Sequence, residues 1–331
     1  MSQAFLLPRG PYFLSKTEIK IPDELEPWRK RIDQLADRKL SWKKLFAELP
    51  EELEGDEDHP VLRVVSVKGG HNLLHLAVHQ GEIEYVARLA GYRVLKRRRN
   101  EDGFTPVELA HYLNAQKILS LLDPTPRPTF FTARNITIEN EEKFREKVFC
   151  EYLSHPIYES ADDFDLLLAK TKKAKLSDAI SSEKIWMGVY FDKEMQQHLH
   201  PKISLRWISE ELGFGAFAEQ RIPPCTFVGE YAGVVRERKK KIVKDNDYCV
   251  RYTLWNVGRK KFIIDANEQG NFTRFINHSF RPNLGLQSIY WRGLPRMIFI
   301  SLKEIAPGDQ LSFDYGTLFW KKSANAPLNL Y

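Results

Sequence analysis

The sequence predicts an α+β multidomain chain with helical repeats at its N-terminal end, a helical middle region and a β-rich C-terminal part. Three observations predict this. Gly70–Ala77 aligns with Gly103–Ala110 at an offset of 33 residues, the mark of an internal repeat. Asp123-Pro124-Thr125-Pro126-Arg127-Pro128 then interrupts the helical pattern as a rigid connector. From about residue 200 the period changes to two, with Ile203, Leu205 and Trp207 alternating with Ser204 and Arg206. A length of 331 residues suits two or three domains at about 150 residues each.

In chain order, residues 1–60 read as an N-terminal segment with capping helices around Glu26 to Leu49, and residues 61–123 hold the repeat. Each unit is a turn, a short helix and a return helix. Ile83, Val86, Ala87, Leu89 and Ala90 mark the first return helix; Ile118, Leu119, Leu121 and Leu122 mark the second. Pro106 suits the first helical position, where its missing N–H costs nothing. Ala77 and Ala110 are small enough to let paired helices approach. This arrangement resembles ankyrin repeats, which are interaction surfaces, so the resemblance implies a protein partner bound there. An unrelated helical bundle is the alternative. Two such units bury their apolar faces only against neighbours, which is why caps are expected.

Residues 124–199 read as the connector and a helical region without legible chemistry. Asn140 is placed to cap a helix with Glu141 and Glu142 in its first turn, where the helix dipole favours acids. Phe144, Val148 and Tyr152 recur every four residues, and a further helix is expected around Asp162 to Ala169. Residues 200–320 follow as short strands: Phe227-Val228, Val234-Val235, Phe262-Ile263-Ile264 and Met297-Ile298-Phe299-Ile300 are apolar runs separated by Gly, Pro and Asn. Residues 321–331 read as a tail.

Four segments of the β-rich part carry chemistry. They are Gly213-Phe214-Gly215, Glu230-Tyr231-Ala232-Gly233, the block from Asp265 through Arg274-Phe275-Ile276-Asn277-His278-Ser279 to Pro282-Asn283, and Phe313-Asp314-Tyr315-Gly316. A Gly-x-Gly alone is usually a turn, but the long block is too specific for chance. Together, in this order, they resemble the SET-domain protein-lysine methyltransferases over roughly residues 200 to 320. The ending Phe313 to Trp320 is similar to the histone H3 methyltransferases that carry ankyrin repeats ahead of a SET domain.

The resemblance implies methyl transfer from S-adenosyl-L-methionine to a lysine amine. It makes Tyr315 the catalytic tyrosine and Tyr231 the second channel tyrosine. It makes Phe313 the residue that limits product, phenylalanine being similar to the di- and trimethylating members. For the cofactor it implies Gly213, Phe214 and Gly215 through their backbone, Tyr248, Asn277 through its amide, and His278. Phe319 and Trp320 fit a lid over the adenine or the lysine channel, and fit equally the last apolar pair of a core. Arg274 and Asp265 read as structural, each needing a partner if buried. Where many relatives have a zinc-binding cysteine, this chain has Phe280, and no cysteine follows Cys249, so no metal is expected.

Composition bounds the partners. Apolar residues at 43% and charged residues at 28% exclude a collagen, a disordered chain or a coiled-coil rod. No run approaches 18 apolar residues, and Met1 to Lys20 has no basic-then-apolar layout, so neither a membrane span nor a leader is expected. The net charge of +6 is modest, but Lys96–Arg99, Lys170–Lys175 and Arg236–Lys244 are basic runs. They suit nucleosomal DNA or an import receptor, or are solvated faces. The substrate stays open between a histone tail, laid as a strand near Tyr248 to Leu254, and a non-histone protein; an inactive SET and ankyrin scaffold is the remaining alternative. The expected location is nuclear or chromatin-associated, with the cytoplasm open. The combination also resembles effectors that intracellular bacteria deliver into host nuclei.

Overall fold

The computed structural model describes residues 22–50, 56, 59–124, 131, 135–243, 246–252 and 260–320, without the side chains of Leu318 and Trp320. The segment before residue 22, most of the Glu51–Asp58 acidic run, Thr125 to Pro128 of the connector, Lys244, Leu254 and the 321–331 tail lie outside the described residues.

Two helices open the chain, α1 (Glu26–Ala36) and α2 (Trp42–Glu48). Ser41 starts α2 by accepting the Lys44 N–H. Trp42 is buried and its indole donates to Gln80, whose amide donates in turn to the Leu35 carbonyl, so the pair is clasped to the next helix. There follow α3 (Leu73–Gln80), α4 (Ile83–Leu89), α5 (Arg93–Arg97), α6 (Pro106–Tyr112) and α7 (Gln116–Leu122). Leu73 and Pro106 open α3 and α6, and Ile83 and Gln116 open α4 and α7, both at a spacing of 33. Each of α3 and α6 begins with a capping box, Asn72 with His75 and Thr105 with Glu108. His75 also lies 2.8 Å through Nε2 from the Phe104 carbonyl, tying the first unit to the second.

The middle region holds more than helices. It contains β1 (Ile136–Ile138), α8 (Glu141–Lys147), β2 (Glu151–Tyr152), β3 (Ile157–Tyr158), α9 (Ala161–Leu176), α10 (Ser182–Tyr190) and α11 (Asp192–Gln197). Asn140 caps α8, but the helix stops at Lys147, and Tyr152 lies in a strand rather than on the Phe144 face. The three strands pair with distant ones, so backbone hydrogen bonding, not the four-residue period, decides their conformation. The remaining elements are β4 (Ile203–Ser209), β5 (Gly213–Ala218), β6 (Phe227–Glu230), β7 (Val234–Glu237), α12 (Lys240–Val243), β8 (Cys249–Arg251), β9 (Phe262–Asp265), β10 (Gln269–Gly270), β11 (Asn277–His278), β12 (Leu284–Trp291), β13 (Leu294–Ser301), β14 (Ser312–Phe313) and α13 (Thr317–Trp320).

The sheets run β1-β4-β5, β12-β13-β6 and β3-β7-β9-β8, with the short parallel pairs β2–β10 and β11–β14. Thus β1, β2 and β3 each join a sheet or ladder whose other members lie beyond residue 200. Helix α10 seats on β12 at Gly188, where an added Cβ would stand 1.9 Å from the Tyr290 carbonyl oxygen. One apolar core runs from Ile32 to Leu311.

The helical end and the sheets are also joined by charge. Arg296 on β13 is 1% exposed and forms a two-armed ion pair with Glu230 at the end of β6, itself 5% exposed. Its remaining arm donates to the Tyr112 hydroxyl of α6 at 2.7 Å. Nearby, Arg292 donates to the Gly103 carbonyl, and Lys172 of α9 meets the Asp102 carboxylate at 2.5 Å. A buried pair of this kind stands only where its hydrogen bonds are complete.

Candidate active site

Strand β6 ends at Glu230, and Tyr231 follows as the chain turns away. Tyr231 is 4% exposed; its N–H donates to the Met297 carbonyl and its hydroxyl to the Tyr248 carbonyl, both at 2.8 Å. The same Tyr248 carbonyl accepts the Ala266 N–H, so it is a fixed acceptor. On the other side, β11 and β14 lie parallel, Asn277 opposite Ser312 and His278 opposite Phe313. Tyr315 follows β14; its N–H donates to His278 Nδ1 at 3.2 Å and its hydroxyl to the Ile276 carbonyl at 3.1 Å.

A row of rings connects the two tyrosines. Centroids are 6.3 Å apart for Tyr231 and Phe299, 5.0 Å for Phe299 and Phe313, 4.8 Å for Phe313 and Tyr315, and 4.7 Å for Tyr315 and Phe319. Burial pushes both phenols well above their ordinary value, Tyr231 further by its proximity to Tyr315. Both hydroxyls therefore keep their protons at neutral pH. Since each proton is committed to a backbone carbonyl, each oxygen can meet a further partner only as an acceptor. Burial lowers His278, with Asp314 opposing, and the Tyr315 N–H fixes Nδ1 as the acceptor of the neutral ring.

The structure also gathers the predicted cofactor residues. Gly213, at φ +67°, opens β5 with free space where a side chain would stand. A Cβ at Gly215 would meet Ile208 at 2.6 Å and Gln310 Nε2 at 2.9 Å, so a side chain there would push the ends of both aside. The ring of Phe214 is buried against Phe144 and Trp207, which leaves only its backbone to meet a ligand. Gln310 in turn holds Asn283 through its carbonyl, and Asn283 accepts the Ser312 N–H beside Asn277. The Asn277 amide nitrogen is buried and has no hydrogen-bond partner among the described residues, nor has Gln310 Nε2. Buried donors left in this way fit a bound acceptor group. Tyr248 is half-buried with the Arg274 guanidinium 3.9 Å from its ring centroid.

Asp265 finds its partners in Asn246 and Arg236. Arg274 is half-buried rather than buried; its guanidinium lies over the Tyr248 and Phe275 rings, and among the described residues no carboxylate pairs with it. The Trp320 side chain lies outside the described residues. Phe299 and the two accepting carbonyls were not foreseen. Phe299 had a signal, the apolar run Met297–Ile300 of β13, whereas a carbonyl leaves none in the side-chain pattern.

The class of this region is shown by comparison. Residues 213–316 match the SET domain model, which makes the C-terminal β-rich part SET-like. The curated relatives are named as enzymes of one kind. The chain is 35% identical over 133 residues to human "Histone-lysine N-methyltransferase EHMT1", covering 39% of this chain and 10% of that protein. It is 36% identical over 122 residues to Drosophila melanogaster "Histone-lysine N-methyltransferase Set2", covering 35% and 5%. The match thus spans a tenth or less of these relatives' length. Among solved structures, KRYPTONITE in complex with mCHH DNA, an H3(1-15) peptide and SAH is 32% identical over 37% of this chain and 24% of that one, at a TM-score of 0.31.

Proposed function

We propose that this protein is an S-adenosyl-L-methionine-dependent protein-lysine N-methyltransferase. The observation that carries the reading is the pair of phenols, buried Tyr231 and half-buried Tyr315, whose protons are committed to backbone carbonyls within one aromatic row. A free lysine has a pKa of about 10.4, so only about one in a thousand is neutral near pH 7.4, a handicap of roughly 4 kcal/mol. Apolar ring surfaces around a bound amine would disfavour the ammonium and recover part of this. The phenolic oxygens accept hydrogen bonds from the amine and hold it in line, which adds orientation. The bound cofactor supplies an electrophilic methyl group on a sulfonium. Asn277 would bond its amino-acid part, with the backbone of Gly213 to Gly215, His278 and Tyr248 around the remainder.

Phe313 places no hydroxyl in the row, which supports di- or trimethylation as the product. The substrate reading is a histone tail, supported by the names of the relatives and by β8, the outer strand of β3-β7-β9-β8 among the described residues, beside which a tail would lie as an added strand. The paired helices of α3 to α7 serve as an ankyrin-like recruiting surface, supported by their common spacing and caps, and the proposed location is chromatin. The test is transfer of labelled methyl to separate histones, octamers and nucleosomes, with Tyr315→Phe alongside. Label in one histone band, lost in the variant, supports the reading. Absence of cofactor binding would overturn it.

A further inference from the structure

The β7–β9 pair runs Val234 opposite Asp265 to Glu237 opposite Phe262. A further hydrogen bond, Arg238 N–H to the Lys261 carbonyl at 2.6 Å, carries the ladder past the strand ends. It sets Arg238 and the start of α12 beside Lys260 and Lys261, two segments far apart in the chain. Arg238, Lys239, Lys240, Lys241, Lys260 and Lys261 are all exposed. Lys260 meets Asp163 at 3.2 Å and Glu237 at 3.9 Å. Among the described residues no carboxylate stands within ion-pair distance of the other five. Two positions before Arg238, Arg236 is paired with both Glu159 and Asp265 at 3.4 Å, so the same sheet neutralises its cations elsewhere.

Five uncompensated cations side by side repel one another, and a polyanion relieves that repulsion while releasing its own counterions. The kind of polyanion follows from what the patch lacks. Among the described residues, none of the large exposed apolar side chains lies between residues 236 and 262. Membrane insertion and base stacking on single strands both use such groups. A duplex needs only cations along its phosphates.

We propose that Arg238, Lys239, Lys240, Lys241 and Lys261 form a docking surface for the phosphate backbone of duplex nucleic acid, without sequence preference. The patch stands at the opposite end of β9 from Asp265, about 13 Å away at 3.3–3.4 Å per residue. Ala266, next in the chain, bonds the carbonyl that holds Tyr231. If the methyl-transfer reading holds, a lysine on a tail projecting from a duplex-bound particle lies within reach of the aromatic row.

The experiment is fluorescence anisotropy of a labelled DNA duplex of about 20 base pairs with the full chain, between 50 and 200 mM salt, without cofactor. The comparison protein carries glutamine at the five positions (R238Q, K239Q, K240Q, K241Q and K261Q). The wild type is expected to bind with a steep salt dependence. The variant is expected to bind at least tenfold more weakly at low salt, with a log–log slope shallower by roughly 3 to 4.5, at about 0.9 per phosphate contact. A K170Q/K173Q variant is expected to match the wild type. Equal binding by the five-site variant overturns the proposal, as does wild-type binding to anionic vesicles or single strands in preference to the duplex. Because no methyl transfer is measured, failure of the enzymatic reading would leave this result standing. Its failure would leave methylation of free histone peptides untouched.

Discussion

Glu230 and Tyr231 are neighbours in the chain, yet they serve two buried polar clusters built in opposite ways. Glu230 faces a guanidinium that is itself buried, and a phenol from the helical end of the molecule completes that cation's hydrogen bonds. Burial pushes the Glu230 carboxyl up despite the Arg296 charge beside it. Tyr231 belongs to a cluster without net charge, where hydroxyls rest on backbone carbonyls and rings fill the space between. The ionic cluster holds parts together and fails badly if one member is lost. The neutral cluster presents phenolic oxygens that act as acceptors. Stability and chemistry are thus separated by one peptide bond.

The largest effect should come from unbalancing the ionic cluster. Arg296→Met leaves Glu230 buried without its counter-charge, and a loss of about 3–5 kcal/mol is expected in denaturant unfolding. Adding Glu230→Gln should recover a good part of it; a double variant as unstable as the single would mean that the cluster does not act through charge. Tyr315→Phe tests the other side. Methyl transfer should slow by about 10²–10³-fold, the usual cost of one oriented hydrogen-bonding group, while the unfolding midpoint stays close to wild type. A stability loss matching that of Arg296→Met would erase the contrast between the clusters.

Acid titration separates them further. His198 stacks on His155 beside the junction, where burial first and then Arg296, His111 and His200 lower it to about 4, against Glu108. The unfolded chain, with the ordinary value of 6.5, then binds the proton more readily between these limits. Stability therefore falls as pH drops from 6.5 towards 5, by less than the full linkage value because the ring is also exposed to solvent, which screens it. His198→Asn, which tolerates the left-handed backbone at φ +49°, should flatten that part of the slope. The phenols of the aromatic row should contribute nothing there. The smallest effect belongs to Thr105→Ala, about 1 kcal/mol from loss of the α6 cap, with no change in transfer rate per folded molecule.

These differences follow how much each part showed in the sequence. Asn277-His278 and Phe313-Asp314-Tyr315 are contiguous and stand out as words, and the strand alternation from Ile203 needed only local reading. The 33-residue spacing likewise placed the starts of α3 and α6, because caps and turns are local chemistry. The ionic cluster could not be seen in this way. Glu230, Arg296 and Tyr112 come from three distant segments, and nothing in the apolar run of β13 says which charge Arg296 will meet. The strands Ile136–Ile138, Glu151–Tyr152 and Ile157–Tyr158 are two or three residues long and exist only through partners beyond residue 200. β12 was overlooked because Gly285, Gln287 and Ser288 dilute its apolar positions.

The shared guanidinium has a practical meaning for anyone moving this region into another protein. Excised at residue 200, the catalytic strands would carry away Glu230 and Arg296 but leave Tyr112 behind, together with β1, β2 and β3. The graft would then present an unmatched N–H donor on a freshly opened face and three ladders without their companions. A working transplant has to be cut ahead of α6, or the recipient must offer a phenol at the same spot.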